Sequence, residues 1–335
     1  MLKIFDEKIN GFLFTIILPL LLFSMSYYGF ESSYTRLKTA ERPPDYLFSS
    51  VYAYRVLPNY LSLYLTDIVG YIIENYLGFF RKFLHKNGTA FYHGLFLMNS
   101  FFFILSSVVF NKLLSLKPVS LLLNINLKRV IHLLAVFFIV ITQYAPTNCD
   151  MMALFCYLTG VFLTLKYFHT NKTAYFYILI VLIFLSTFVR ETACLNIAFF
   201  AALFLDMDDL RKGNYTMVAK TIPLVISFLT AYLGLRMIVV QETTFVEGFY
   251  INRNFESPFN LAGLLFGSIV LYFVYLLGVS AENKTIFKKY LFFSLPYLAM
   301  ITMVGLYWEV RLFLPLILTG IVVAYHQFKN SLILS

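Results

Sequence analysis

The chain has 335 residues, 60% of them hydrophobic and 19% aromatic, and only 13% charged. A soluble domain carries about twice that charge, so the composition excludes an ordinary globular protein and points to a polytopic α-helical membrane protein. The formal net charge of +9 does not call for nucleic acid, because cationic side chains at membrane ends serve orientation and lipid headgroups first.

A span needs about 20 apolar residues, fewer where interfacial aromatics flank it. This reading predicts ten, near 11–30, 89–111, 130–145, 151–168, 174–190, 192–205, 217–240, 261–279, 291–307 and 311–327. Residues 1–335 form a single integral membrane domain. An outer-membrane barrel would show short alternating segments instead. The first run lacks a small-residue cleavage site and reads as a retained span rather than a signal peptide. The sixth is short enough to suggest a re-entrant or broken helix.

Residues 31–88 decide the parity of every later span. Within 59–80, the polar positions Asn59, Ser62, Thr66, Asp67, Gly70, Glu74, Asn75 and Gly78 recur at helical spacing. Leu61, Leu63, Leu65, Ile68, Ile72, Ile73 and Leu77 lie mostly on the other side. The expectation is an amphipathic helix in the interface plane, its polar stripe facing water, inside one long extracytoplasmic loop. A second such loop covers 241–260.

Lysines then orient the chain. Lys112, Lys117, Lys128, Lys166, Lys172, Lys212, Lys220, Lys284, Lys288 and Lys289 fall in one set of connections. The opposite short connections hold arginines alone. The positive-inside rule makes the lysine-rich set cytoplasmic, with both termini inside a bacterial-type inner membrane. Three charged clusters then share the outer face: Arg55 before Pro58, the Arg190-Glu191 corner, and Glu309-Val310-Arg311.

Charges at the edge of hydrocarbon are functional candidates by default. Arginine offers planar, bidentate donors to a phosphate. A carboxylate can take the proton of an attacking sugar hydroxyl, and a preorganised arginine stabilises a departing phosphate. Asp45, exposed after Pro43-Pro44, is the first candidate base, with Asp67, Glu74 and Asp150 as alternatives. Asp150, Arg236 and Glu191 complete the set. Plainer readings stand beside these: Asp150 as a helix N-cap, Arg190 paired with Glu191, Arg311 paired with Glu309, Arg55 on a lipid headgroup, and Asp67 and Glu74 on the wet face of the interfacial helix.

No metal site is called for. His93 and His132 have no partner at ligand spacing, and Asp206-Met-Asp208-Asp209 reads as a solvated turn. Cys149, Cys156 and Cys194 fit no metal spacing and read as small core residues.

Three motifs carry a resemblance. Tyr52-Ala-Tyr-Arg55-Val-Leu-Pro58, Thr187-Phe-Val-Arg190-Glu191-Thr192-Ala193 and Glu309-Val-Arg311-Leu-Phe-Leu-Pro315 are similar, in order and spacing, to motifs of uncharacterised bacterial members of the GT-C superfamily of membrane glycosyltransferases. The resemblance implies an all-α bundle with a long first outer loop. It implies transfer of a sugar from a polyprenyl-phosphate donor to a glycan or lipid acceptor at the outer face of the cytoplasmic membrane, with no nucleic acid involved. Asp45 and Glu191 would be catalytic. Arg55, Arg190, Arg236, Glu309, Arg311 and Asp150 would bind substrate. The first loop departs from the family in having no Asp-x-Asp or Glu-x-Asp pair, so a divalent metal has no support in it. A repeat-unit polymerase, a transporter or flippase of lipid-linked glycans, and a non-catalytic subunit are the rival readings.

Overall fold

A computed structural model describes residues 9–29, 37–142, 147–206, 211–240 and 249–328. The helices that build the bundle are α1 (Ile9–Gly29), α2 (Val56–Asn75), α3 (Ala90–Ser115), α4 (Ile125–Thr142), α5 (Asp150–Thr170), α6 (Thr173–Thr187), α7 (Cys194–Phe204), α8 (Thr216–Ile238), α9 (Pro258–Leu276), α10 (Ala281–Phe293), α11 (Leu295–Val304) and α12 (Leu314–Ala324). Seven of them, α1 to α5, α8 and α9, are long and apolar enough to cross a membrane. No strand is present among the described residues. The chain is therefore all-α, and a multi-helix membrane protein by length and composition.

Local chemistry sets the boundaries. The Thr89 hydroxyl accepts from the Tyr92 amide and opens α3, as N-caps do. Asn171 ends α5 in the left-handed region at φ 50°, a position that asparagine tolerates. Pro296 has no amide proton to give the preceding turn, so the expected span 291–307 is part of a longer segment interrupted between α10 and α11.

Lysines gather at one end of the bundle. Lys128 donates to Ser115 Oγ at 3.2 Å, Lys220 to the Tyr167 hydroxyl at 3.0 Å, and Lys289 to the Leu205 carbonyl at 3.2 Å. At the same end Val119 N–H donates to the Tyr325 carbonyl, and Asn283 spans the carbonyls of Val323, Ala324 and His326. At the opposite end Asn99 donates to the Thr147 carbonyl, and Asn254 to those of Thr302 and Gly305. Between the two, Tyr157, Tyr290 and Thr319 join α5, α10 and α12 through their hydroxyls. His132 meets Ser107 and is structural. His93 is held by Tyr28 and the Leu84 carbonyl.

The faces expected for the helix in 59–80 are inverted over its first half. Asn59, Ser62 and Thr66 are buried, while Tyr60, Tyr64, Ile68 and Tyr71 are exposed. Small polar residues let α2 approach α3 closely, and the hydroxyls of Ser62 and Thr66 return to carbonyls of their own helix. A side chain at Gly94 would press on the Leu65 and Thr66 backbone at 3.3 Å. Asp67, Glu74, Asn75 and Gly78 keep the exposure expected of that stripe, and Glu74 pairs with Arg81 and His85. Leu65 lies against Gly94 and Gly70 against Ala90, so α2 runs antiparallel along the start of α3. It leads away from the lysine-rich end rather than toward it.

Gly263 on α9 sits where an added Cβ would come within 2.6 Å of the Trp308 Cα. Backbone cannot yield as a side chain does, so Gly263→Ala is expected to cost about 1–3 kcal/mol through overpacking. The check is a thermal melt of the purified protein, and an unchanged midpoint would show that α9 and the Tyr307-Trp308 turn can separate freely.

Candidate functional site

The site is assembled where chain turns, not where helices run straight. Arg190 has extended backbone between α6 and the turn Glu191–Ala193, which directs its side chain inward instead of along a helix face. Arg311 lies in the one-turn helix Val310–Phe313 that precedes α12. Asp150 is the first residue of α5. The loop before it ends on Thr147, whose hydroxyl accepts the Asp150 amide at 3.2 Å. The cap is thus Thr147, and the Asp150 carboxylate is released for another purpose, contrary to the capping expectation.

That carboxylate is the hub. One oxygen pairs with Arg190 Nη1 and the other lies 3.0 Å from Arg311 Nη1. Its side chain is 3% exposed, against 13% for Arg190 and 11% for Arg311. Arg311 also donates to Glu309 Oε2 at 3.0 Å, which bears out the ion pair suggested by their spacing. Arg190 does not pair with its neighbour Glu191. Glu191 faces Arg236 instead, at 4.0 Å. Burial alone would push the Arg190 guanidinium down, but the adjoining Asp150 carboxylate outweighs it and holds the group above the ordinary arginine value.

Arg55 joins from the first loop. It follows the turn Val51–Tyr54 and precedes α2. Its Nη1 donates to Cys149 Sγ at 3.3 Å, and its guanidinium lies over the Tyr52 ring at 4.5 Å. It makes no ion pair within 4.0 Å among the described residues, and its Nε is buried without a partner. Burial raises the Cys149 thiol despite the pull of Arg55, so the sulfur stays neutral. Asn59 fixes this segment by donating to the Tyr52 carbonyl at 2.9 Å, while Asn148 donates to Asn59 Oδ1 at 2.7 Å. The Leu57 amide adds a bond to the Phe188 carbonyl. The three charged motifs of the sequence are therefore neighbours in space.

Arg236, on α8, lies between two rings. It is 3.5 Å from the Tyr232 centroid and 4.5 Å from that of Tyr54, a cation–π clamp that ties α8 to the Arg55 turn. Asp45 is solvated rather than enclosed with the cluster. Its side chain is 89% exposed and its nearest cation is Arg42 at 3.8 Å. It opens the short helix Tyr46–Ser49, whose Leu47 carbonyl is held by Asn59. Glu242 and Glu247, in the second expected outer loop, lie outside the described residues. Asp206 reaches Lys289 at the lysine-rich end, 3.8 Å away, as a solvated turn residue would.

A cavity of about 20 Å³ opens among Asp150, Arg190, Thr192, Tyr297, Arg311 and Pro315, room for about one water molecule. The Tyr297 hydroxyl is turned away to the Leu312 carbonyl. Sequence reasoning missed Tyr297, Asn59 and Asn148 as supports of the site. The signal was weak: two asparagines and a tyrosine next to apolar runs. Among the described residues no group of three or more His, Cys, Asp or Glu is placed to hold a metal. Compared with family models, curated proteins and solved structures, the chain matches none.

Proposed function

We propose that this chain is a membrane glycosyltransferase of GT-C type that moves a sugar from a polyprenyl-phosphate donor to a glycan or lipid acceptor. The observation that carries the reading is Arg55, a guanidinium with no carboxylate counterion among the described residues, beside the buried Asp150–Arg190–Arg311 group at one end of the bundle. An array that has neutralised most but not all of its positive charge suits a singly bridged phosphate. In this proposal ten spans cross the membrane, α2 packs antiparallel along the first part of α3, and the lysine-rich end is cytoplasmic.

The donor phosphate meets Arg55, with Arg190 and Arg311 behind it. The acceptor hydroxyl oxygen attacks the anomeric carbon, the bond from that carbon to the phosphate oxygen breaks, and the charge that builds on the leaving phosphate falls to the arginines. The hydroxyl proton passes to Asp45, whose exposed carboxylate is only loosely engaged by Arg42. Asp150 cannot fill that role, because a carboxylate clamped by two guanidiniums is a poor base. Glu191 and Glu309 orient Arg236 and Arg311. Charges grouped at one end, with neutral hydroxyls joining α5, α10 and α12 between the ends, favour an enzyme over a transporter or flippase.

The test is donor consumption by the purified protein across a panel of polyprenyl-phosphate sugars; no turnover of any donor would remove the reading. Asp45→Asn is expected to slow transfer by about 10²–10⁴-fold without moving the melting midpoint, since the side chain is solvated. If Asp45→Asn is fully active and Glu191→Gln is not, the base is Glu191.

A further inference from the structure

Arg236 is held differently from the arginines it lies beside. Its side chain is 32% exposed, against 13% for Arg190 and 11% for Arg311. It is not among the residues that line the cavity around Asp150. Its own helix fixes it. Nη1 donates to the Tyr232 carbonyl at 3.3 Å, one turn earlier on α8, and the Tyr232 ring covers the guanidinium at 3.5 Å from its centroid. Phe228, a further turn back, stacks on Tyr232 at 5.3 Å. The rest of the planar fork is left for groups outside α8.

Two such groups meet it. The Tyr54 ring centroid lies 4.5 Å away and Glu191 Oε1 4.0 Å away. Tyr54 immediately precedes Arg55, and Glu191 immediately follows Arg190. Neither Arg55 nor Arg190 sits within a helix: Arg55 lies between the turn Val51–Tyr54 and α2, and Arg190 lies in extended backbone before the turn Glu191–Ala193. The bond from the Leu57 amide to the Phe188 carbonyl, at 3.3 Å, is a second tie between the same two segments. A side chain that grips the neighbour of each arginine sets the distance between the two. For groups that meet one phosphate that distance matters, since a misplacement of about 1 Å can cost about 10²-fold in rate.

We infer that Arg236 is a positioning residue: from α8 it straps the Arg55 turn to the Arg190 turn through Tyr54 and Glu191, and so sets the spacing of the guanidiniums offered to the donor phosphate. This role differs from the substrate contact expected of Arg236 from the sequence. Its kinetic consequence rests on the proposed sugar transfer, whereas the strap itself does not.

Hydrogen exchange and steady-state kinetics of the full chain in detergent test this, with Arg236→Met keeping the apolar stem and Arg236→Lys keeping the charge without the fork. In Arg236→Met the amides of 51–57 and 188–193 are expected to exchange faster. Its kcat on a polyprenyl-phosphate sugar should fall about 10²-fold with KM little moved. Arg236→Lys should recover part of both. Adding Tyr54→Leu to Arg236→Met should lower kcat little further, because the two residues act as one unit. Exchange unchanged in both turns, or faster in α8 alone, would make Arg236 an anchor of its own helix and overturn the inference. A rise in KM at unaltered kcat would make it a substrate contact and overturn it too. If the wild-type protein consumes no donor, the sugar-transfer reading falls, and exchange in the two turns still decides the strap.

Discussion

Asp150→Ala is expected to destabilise the protein by about 3–5 kcal/mol, the effect of removing one partner from a buried ion pair. The carboxylate is almost wholly enclosed and both of its oxygens face arginines. Its removal leaves Arg190 and Arg311 close together, buried, and without their common counterion. Arg311 would keep Glu309, so Arg190 should account for most of the loss. Asp150→Asn preserves the shape but not the charge and should fall between wild type and alanine. The discriminating measurement is a double-mutant cycle read by thermal or denaturant unfolding. Asp150→Ala combined with Arg190→Ala should be less destabilised than the sum of the two single changes, because the pair leaves together. Strict additivity would mean that the three groups do not form one network. Transfer activity cannot report on this residue separately, since the variant disturbs the fold that positions the arginines.

Arg55→Ala should behave in the opposite way. Among the described residues this guanidinium has no acidic partner to abandon, only a bond to the Cys149 sulfur and a stacked tyrosine. Its loss should move the melting midpoint little. If it meets the donor phosphate as charge develops, kcat should drop by about 10²–10³-fold, as for removal of one preorganised donor. Arg55→Lys keeps the charge but not the planar fork, and should recover only part of the rate. Steady-state kinetics on a polyprenyl-phosphate sugar, beside a melt of each variant, separates the two roles. A large fall in stability with unaltered kcat would make Arg55 a structural brace and take away the main support for phosphate binding.

These two expectations illustrate how far the sequence reached. Arg55, Arg190 and Arg311 were legible because a charge amid apolar runs stands out by composition alone. Their shared end of the bundle was legible from lysine counting, which depends on sums over connections and not on any one contact. Their division of labour was not legible. Asp150 reads as a helix cap from its neighbours, and only the neighbouring Thr147 hydroxyl, by taking over that task, frees the carboxylate for two arginines that are distant in sequence. Glu191 reads as the partner of Arg190 for the same reason of adjacency. The extended backbone at Arg190 turns the two side chains apart.

The helix in 59–80 is the sharpest case. Its periodicity was sufficient to identify a helix and a polar stripe. It could not say which face meets water, because in a bilayer-embedded protein both faces have a use: small polar residues permit close helix packing, and aromatic residues tolerate an apolar or interfacial surrounding. The tertiary structure resolved the choice by placing Asn59, Ser62 and Thr66 against α3 and leaving the tyrosines outside.

The sequence by itself determined that the chain is all-helical and apolar enough for a membrane, where its long helices fall, and that its arginine motifs oppose its lysines. Those properties come from composition and short-range periodicity, and each residue contributes to them without regard to distant partners. Only the tertiary structure decided that Asp150 is the centre of the charged group, that Asp45 is solvated, that Arg55 has no ion pair among the described residues, and that an apolar cavity opens beside α2. Those properties depend on which segments meet, and burial energy is set by the meeting rather than by the segments.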